Sequence, residues 1–134
     1  MATNAGVKAK QRFSDDILAK FRESKGVRIR AGTGAHRFIG IWVVVVNERV
    51  FVRSWSVKPQ GWYQTFLKEP VGAVQIANRE IAVRAVSTRD KRVRGAVDRA
   101  YMDKYNTPGA IKYARDLGSA KSRATTLELR PSGR

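Results

Sequence analysis

Between Val50 and Pro70 the chain reads VFVRSWSVKPQGWYQTFLKEP. This stretch gathers the side chains best suited to holding a ligand. Arg53, Ser54, Ser56, Lys58 and Gln60 are interleaved with Trp55, Trp62 and Tyr63. Cations and hydroxyls bond phosphate oxygens, and Arg53 carries a fork that can do so bidentately. An indole at Trp55 or Trp62 can cover a ring system. The residue types therefore suit a phosphorylated planar small molecule. A second reading makes Trp62 and Phe66 plain core anchors of a short helix. If the strand stays extended, Ser54, Ser56 and Lys58 share one side, and Arg53 points to the face opposite Val52 and Ser54. The N-terminus of the helix that follows adds partial positive charge.

Other chemistries find little support. There is one histidine, His36, and no cysteine. Ser-His-Asp catalysis would need His36 as its base, and no G-x-S-x-G elbow is present. No His and carboxylate cluster has metal-ligand spacing, so no metal and no catalytic side chain is assigned. Gly32-Thr33-Gly34 is too short for a dinucleotide fingerprint and reads as a turn, although its N–H groups could assist an anion. Most acids sit beside Lys or Arg, as in Asp90-Lys91-Arg92, and read as helix-surface pairs.

The elements that must position the Val50–Pro70 stretch follow from periodicity. Ser14 caps a helix whose first turn holds Asp15 and Asp16, Phe13 staples onto Leu18, and Gly26 closes it. Val27, Ile29 and Ala31 alternate with Arg28 and Arg30 as a half-buried strand. Ile39 to Val46 reads as one long strand buried on both faces. Asn47-Glu48 turns it back into Val50–Arg53. Gly61 to Lys68 is helical and ends at Pro70. A second hairpin turns at Asn78-Arg79. Asp90 to Tyr105 forms the longest helix, with Val93, Ala96, Val97, Ala100, Tyr101 and Lys104 inward. Pro108 opens a shorter helix as its first residue, and Ala124 to Leu129 is a final strand. Strands in sequential hairpins predict an α+β fold, an antiparallel sheet or small barrel of about six strands with packed helices. Residues 1–12 are expected as a flexible basic tail, 13–130 as a single domain and 131–134 as a loose tail.

Composition sets wider bounds. The 134 residues fit one domain, and 43% hydrophobic content suffices for a core. No apolar run approaches the roughly 20 residues of a bilayer span. The N-terminal MATNAGVKAKQRF lacks the apolar region of a secretory signal. Absence of cysteine excludes disulfides and agrees with a cytoplasmic location. Lys and Arg number 27 against 11 acids, a net charge of +16, which attracts polyanions. Basic residues are spread along the chain rather than gathered in an arm.

The span from about Gly34 to Ala85 resembles the FMN-binding split-barrel superfamily, which includes pyridoxamine-phosphate oxidases and deazaflavin-dependent nitroreductases. IWVVVV, VFVRSW, SVKPQGWYQTFLKEP and VGAVQI carry the likeness. The run from Trp62 to Pro70 is similar to the nitroreductase W-Y-x-N-L-x-x-x-P helix. Beyond residue 12 the chain looks like a bacterial domain family of unknown function related to that fold, with Ala100-Tyr101-Met102-Asp103-Lys104-Tyr105 matching its A-Y-x-x-K-Y helix end. The resemblance implies a split barrel, commonly dimeric, with FMN or a deazaflavin at its edge. Arg53, Ser54, Ser56 and Lys58 would approach the cofactor phosphate, and Trp62 and Tyr63 would sit by the cofactor loop. Val57-Lys58-Pro59-Gln60 departs from the nitroreductase loop, where a Gly-Gly pair stands. Two alternatives stay open. One is a noncatalytic module that binds nucleic acid through Arg28, Arg30, Arg37, Arg89, Arg92 and Arg94. The other is a cofactor-free barrel acting as an interaction protein.

Overall fold

A computed structural model describes residues 12–55 and 61–132. Along them run α1 (Asp15–Glu23), β1 (Val27–Ala31), β2 (Ile39–Ile41), β3 (Val44–Val46), β4 (Arg49–Val52), α2 (Trp62–Lys68), β5 (Val71–Ile76), β6 (Arg79–Ser87), α3 (Lys91–Lys104), α4 (Ile111–Asp116), α5 (Ala120–Arg123) and β7 (Leu127–Pro131). The strands form one antiparallel sheet of seven, in the order β2-β1-β5-β6-β7-β4-β3. The fold is α+β, a curled half-barrel with packed helices.

Local signals account for many boundaries. Ser14 accepts a hydrogen bond from the Ile17 N–H and starts α1. Asp90 accepts from the Arg92 and Val93 N–H groups and starts α3. Both two-residue hairpin loops have positive φ at each position, Asn47 and Glu48 in one, Ala77 and Asn78 in the other. That geometry matches the twist of the strands they join.

Other boundaries move. The helix α1 ends at Glu23 with Ser24 as its cap, not at Gly26. The second hairpin turns at Ala77-Asn78, one residue earlier than expected, with Ile76 opposite Arg79. Pro108 lies ahead of α4, which begins at Ile111, so it is not the first helical residue. The short α5 was not foreseen. The last strand is Leu127–Pro131 rather than 124–129, and the Ser132 N–H donates to Ala82 O. Pro131 thus ends the last strand and Ser132 is hydrogen-bonded beside it, while residues 133–134 of the expected tail are outside the described residues. Arg12 pairs with Glu48, and the rest of the expected N-terminal tail is outside the described residues.

Two cores lie on opposite faces of β4. Val50 and Val52 join Leu18, Phe21, Ile29, Phe66, Val74, Val83 and Leu129 inside the curl. Phe51 faces the other way, toward Val44, Val97, Tyr101 and Leu117 beneath α3 and α4.

The predicted long strand Ile39–Val46 is broken at Trp42-Val43. Ile39–Ile41 pairs only with β1 and Val44–Val46 only with β4, so the two halves lie on opposite edges of the sheet. Three Cα steps reach at most about 11 Å, whereas seven flat strands would span about 29 Å. The sheet must therefore curl until its edges nearly meet, and Trp42-Val43 is the seam. Val43–Val46 alternate between the two cores as a doubly buried strand should, but Ile39 is 44% exposed.

At the seam the backbone has left one ladder without fully joining the other, and its polar groups need other partners. The end of α3 supplies them. Tyr105 Oη accepts from the Val43 N–H (3.2 Å) and donates to Lys25 O (2.7 Å). Lys104 Nζ donates to Val43 O and Phe21 O, each at 2.8 Å. Tyr101 Oη lies 3.4 Å from Trp42 O. Spacing of three and four residues puts all three on one helical face.

Candidate functional site

The seam opens a groove. Ile39, Gly40, Ile41 and Trp42 from one side, Arg53, Ser54 and Trp55 from the end of β4, Trp62 from α2, and Leu117 enclose about 220 Å³. Gly40, Ile41, Trp42 and Trp55 are shared with a larger concavity of about 490 Å³, which continues past Lys25, Arg28 and Gln75. A Cβ added at Gly40 would meet nothing within 4 Å, so the strand presents open space there.

Trp55 stands 46% exposed at the mouth rather than filling the groove. Its ring meets Trp42 edge-on at 5.7 Å and Tyr113 edge-on at 6.0 Å. Trp42 is stacked on Tyr105 at 3.9 Å, with only 2° between the planes. Because the Tyr105 hydroxyl is tied to the seam backbone, this stack is held from behind. Trp62 is half-buried, edge-on to Phe66 at 6.1 Å, and packs on the main core. The core-anchor reading and the groove-lining reading of Trp62 both hold.

Arg53 requires a correction. Its side chain is fully buried beneath α3 rather than turned toward the groove. Nε donates to Thr126 Oγ1 (2.8 Å), Nη1 to Asp98 Oδ1 and Leu117 O, and Nη2 to Arg94 O (2.9 Å). Burial pulls its pKa down against the hydrogen bond and charge of Asp98. An arginine remains protonated regardless. The guanidinium binds protein, not a ligand phosphate. Asp98 also holds Arg123 at 2.8 Å. Ser54 is buried, with its N–H donated to Thr125 Oγ1 at 2.8 Å. Tyr63 lies outside the groove lining, its hydroxyl 3.5 Å from Ala124 O. Ser56, Lys58 and Gln60 lie outside the described residues.

The structure thus brings Ser54, Trp55 and Trp62 together with the backbone end of Arg53. Trp42, Gly40 and Leu117 were not singled out for this site. The only sequence signal for Trp42 was an aromatic inside a β-branched run. Lys104 was foreseen on the inner face of its helix, but without a role. Its half-buried ammonium has carbonyl partners and no carboxylate among the described residues, and burial lowers its pKa to about 8. Burial raises Tyr105 to about 12 and Tyr101 further. On β7, burial would raise the Glu128 pKa, but Arg49 and Arg130 at 2.9 and 3.1 Å outweigh it and lower it. No group of three or more His, Asp or Glu among the described residues is placed to hold a metal.

Of the arginines assigned to a polyanion surface, Arg28, Arg37, Arg89 and Arg92 are exposed. Arg30 pairs with Glu80 at 3.4 Å and lies 4.6 Å over Phe38. Arg94 Nε donates to Thr88 O.

Solved structures share the fold at low identity. The conserved hypothetical protein Rv2991 from Mycobacterium tuberculosis aligns with a TM-score of 0.57 at 11% identity, over 94% of this chain and 84% of that one. A candidate pyridoxamine 5'-phosphate oxidase from Listeria innocua aligns with a TM-score of 0.55 at 13% identity, over 87% and 90%. No curated protein matches in sequence. The family described as an uncharacterized protein conserved in bacteria (DUF2255) matches residues 17–129, and the chain belongs to it.

Proposed function

We propose that the chain binds a flavin-type cofactor, FMN or a deazaflavin, at the barrel seam. One observation carries this reading: an open, mostly apolar groove with an exposed tryptophan at its mouth, at the strand-to-helix junction of a split barrel. Ile41, Trp42, Trp62 and Leu117 offer an apolar floor for a planar ring, and Trp55 is free to cover it. The phosphate end falls to Ser56, Lys58 and Gln60, because Arg53 is committed under α3. About 220 Å³ is below the roughly 300–1,000 Å³ of small-molecule sites. The ring would therefore extend into the adjoining concavity or be walled by a second copy of the chain in a homodimer. A bound flavin would supply the hydride chemistry of an oxidoreductase. The chain's own part is to hold the ring flat and keep water from one face.

The test is titration of FMN and a deazaflavin, followed by visible absorbance and tryptophan fluorescence. Saturable binding at micromolar concentration is expected, and binding of neither sinks the reading. Gly40→Leu adds bulk at a residue that lines the groove and has open space around it. It should weaken binding at least about tenfold, about 1.4 kcal/mol, without loss of fold.

A noncatalytic polyanion-binding module is the second reading, favoured by the net charge of +16 and the exposure of Arg28, Arg37, Arg89 and Arg92. It calls for DNA or RNA affinity that falls steeply with salt. Heparin retention without a gel shift at physiological salt would count against it.

A further inference from the structure

A further concavity of about 380 Å³ lies between the end of α1 and the end of α3, lined by Arg22, Glu23, Lys25, Trp42, Lys104 and Tyr105 among others; it shares Trp42 with the groove and Lys25 with the concavity beside it. Its size falls within the usual range of ligand sites, roughly 300–1,000 Å³. Its chemistry is lopsided. Three cations and one acid line it, and none of the three cations has a carboxylate within 4.0 Å among the described residues. Lys104 is the most constrained of them. Its half-buried ammonium meets two backbone carbonyls, which satisfy two donors but do not neutralise a full charge. The stacked pair Trp42 and Tyr105 contributes a rigid aromatic wall, fixed by the Tyr105 hydrogen bonds to Lys25 O and Val43.

We propose that this pocket is a binding site for a small planar organic carboxylate, its anionic end at Lys104 and Arg22 and its ring against Trp42 and Tyr105. Charge complementarity selects the anion, and the aromatic wall selects a flat body. A carboxylate would supply the counter-charge that Lys104 lacks. Glu23 at the rim disfavours multiply charged anions. Trp42 is common to this site and the groove, but the cationic end is not: Arg22 and Lys104 line neither the groove nor the concavity beside it, so the proposal does not depend on the flavin reading.

The probe is benzoate, titrated against the protein with Trp55→Phe and Trp62→Phe so that Trp42 is the sole tryptophan reporter. Benzamide and inorganic phosphate serve as comparison ligands. Benzoate should quench Trp42 fluorescence saturably, with benzamide and phosphate each at least about tenfold weaker. Lys104→Met should weaken benzoate at least about tenfold. Should that variant not fold, Arg22→Ser, on the exposed end of α1, should weaken it about two- to fivefold, the range of an exposed ion pair. FMN affinity, read for Lys104→Met and Arg22→Ser in the chain that keeps Trp55 and Trp62, should stay within about twofold. Equal binding of benzamide, equal binding of phosphate, or unchanged benzoate affinity in the Arg22 and Lys104 variants overturns the proposal. Loss of FMN binding alone would bear on the groove and leave this site standing.

Discussion

Tyr105→Phe isolates the polar half of the seam from its packing. The phenyl ring keeps the 3.9 Å stack on Trp42. What disappears is one oxygen that accepts from the Val43 N–H at 3.2 Å and donates to Lys25 O at 2.7 Å. Val43 is fully buried, so its N–H is left without water or protein. An unsatisfied buried donor costs about 1–3 kcal/mol. Val43 O keeps its bond from Lys104. Lys25 is exposed, so water can take over its carbonyl at little cost. The sum is a destabilisation of about 2 kcal/mol. Urea denaturation followed by fluorescence reads it as a lower midpoint at unchanged slope. Native-state hydrogen exchange supplies the local readout, with Val43 losing more protection than the central β5–β6 amides. A loss below about 0.5 kcal/mol, with Val43 still as protected as in the parent, would refute the claim that Tyr105 closes the seam.

Arg53→Met should destabilise by about 1–3 kcal/mol, because it leaves the buried Leu117 O and the part-buried Arg94 O without their donor while Asp98 keeps Arg123, and thermal unfolding should show it directly. Equal stability would mean that the arginine is not a structural strut. Gly72→Ala puts a Cβ 2.2 Å from Arg30 O and 3.0 Å from Phe66, so β1 and β5 must part. A loss of about 1–3 kcal/mol in urea midpoint is expected, and a neutral result would contradict the close approach. Lys104 titrates near 8 in the fold and near its ordinary 10.5 when unfolded. Over that window the unfolded chain holds the extra proton, so stability rises as pH rises from 8 to 10.5. The gain is about 1–2 kcal/mol after discounting for the amine's partial exposure. Above pH 10 the raised Tyr105 and Tyr101 reverse the trend, because the unfolded chain loses their protons first. Urea midpoints between pH 7 and 11 should show a maximum near 10, and Lys104→Met should abolish the rise.

Some local chemistry decided within a few residues was legible in the sequence, although the Gly26 cap, the Asn78-Arg79 turn and Pro108 as first helical residue were misplaced. Ser14 and Asp90 are caps because their side chains reach N–H groups two or three positions on. Asn47-Glu48 turns because the loop joins β-branched runs in register. The break at Trp42-Val43 was not legible, since nothing in IWVVVV marks it. It exists because a curled sheet has two edges to join, and its backbone partners lie about sixty residues away on α3. Without those partners the run has every reason to remain one strand.

Arg53 shows the same limit at the candidate site. Its residue type fitted a phosphate ligand, and strand alternation set it opposite Val52. Which face meets solvent, however, is decided by where α3 packs. That helix covers the face that Phe51 and Arg53 share, so an arginine suited to a ligand binds Asp98, Leu117 O and Arg94 O instead. The consequence for function is specific. With Arg53 committed, the proposed flavin reading assigns the phosphate to the 56–60 segment and the ring to Trp55 and the seam behind it, and that assignment can be tested. Lys58→Ala should therefore weaken FMN far more than riboflavin, which has the same ring and no phosphate. Trp55→Ala should weaken both alike. Equal loss for both ligands on removing Lys58 would show that the phosphate is held elsewhere.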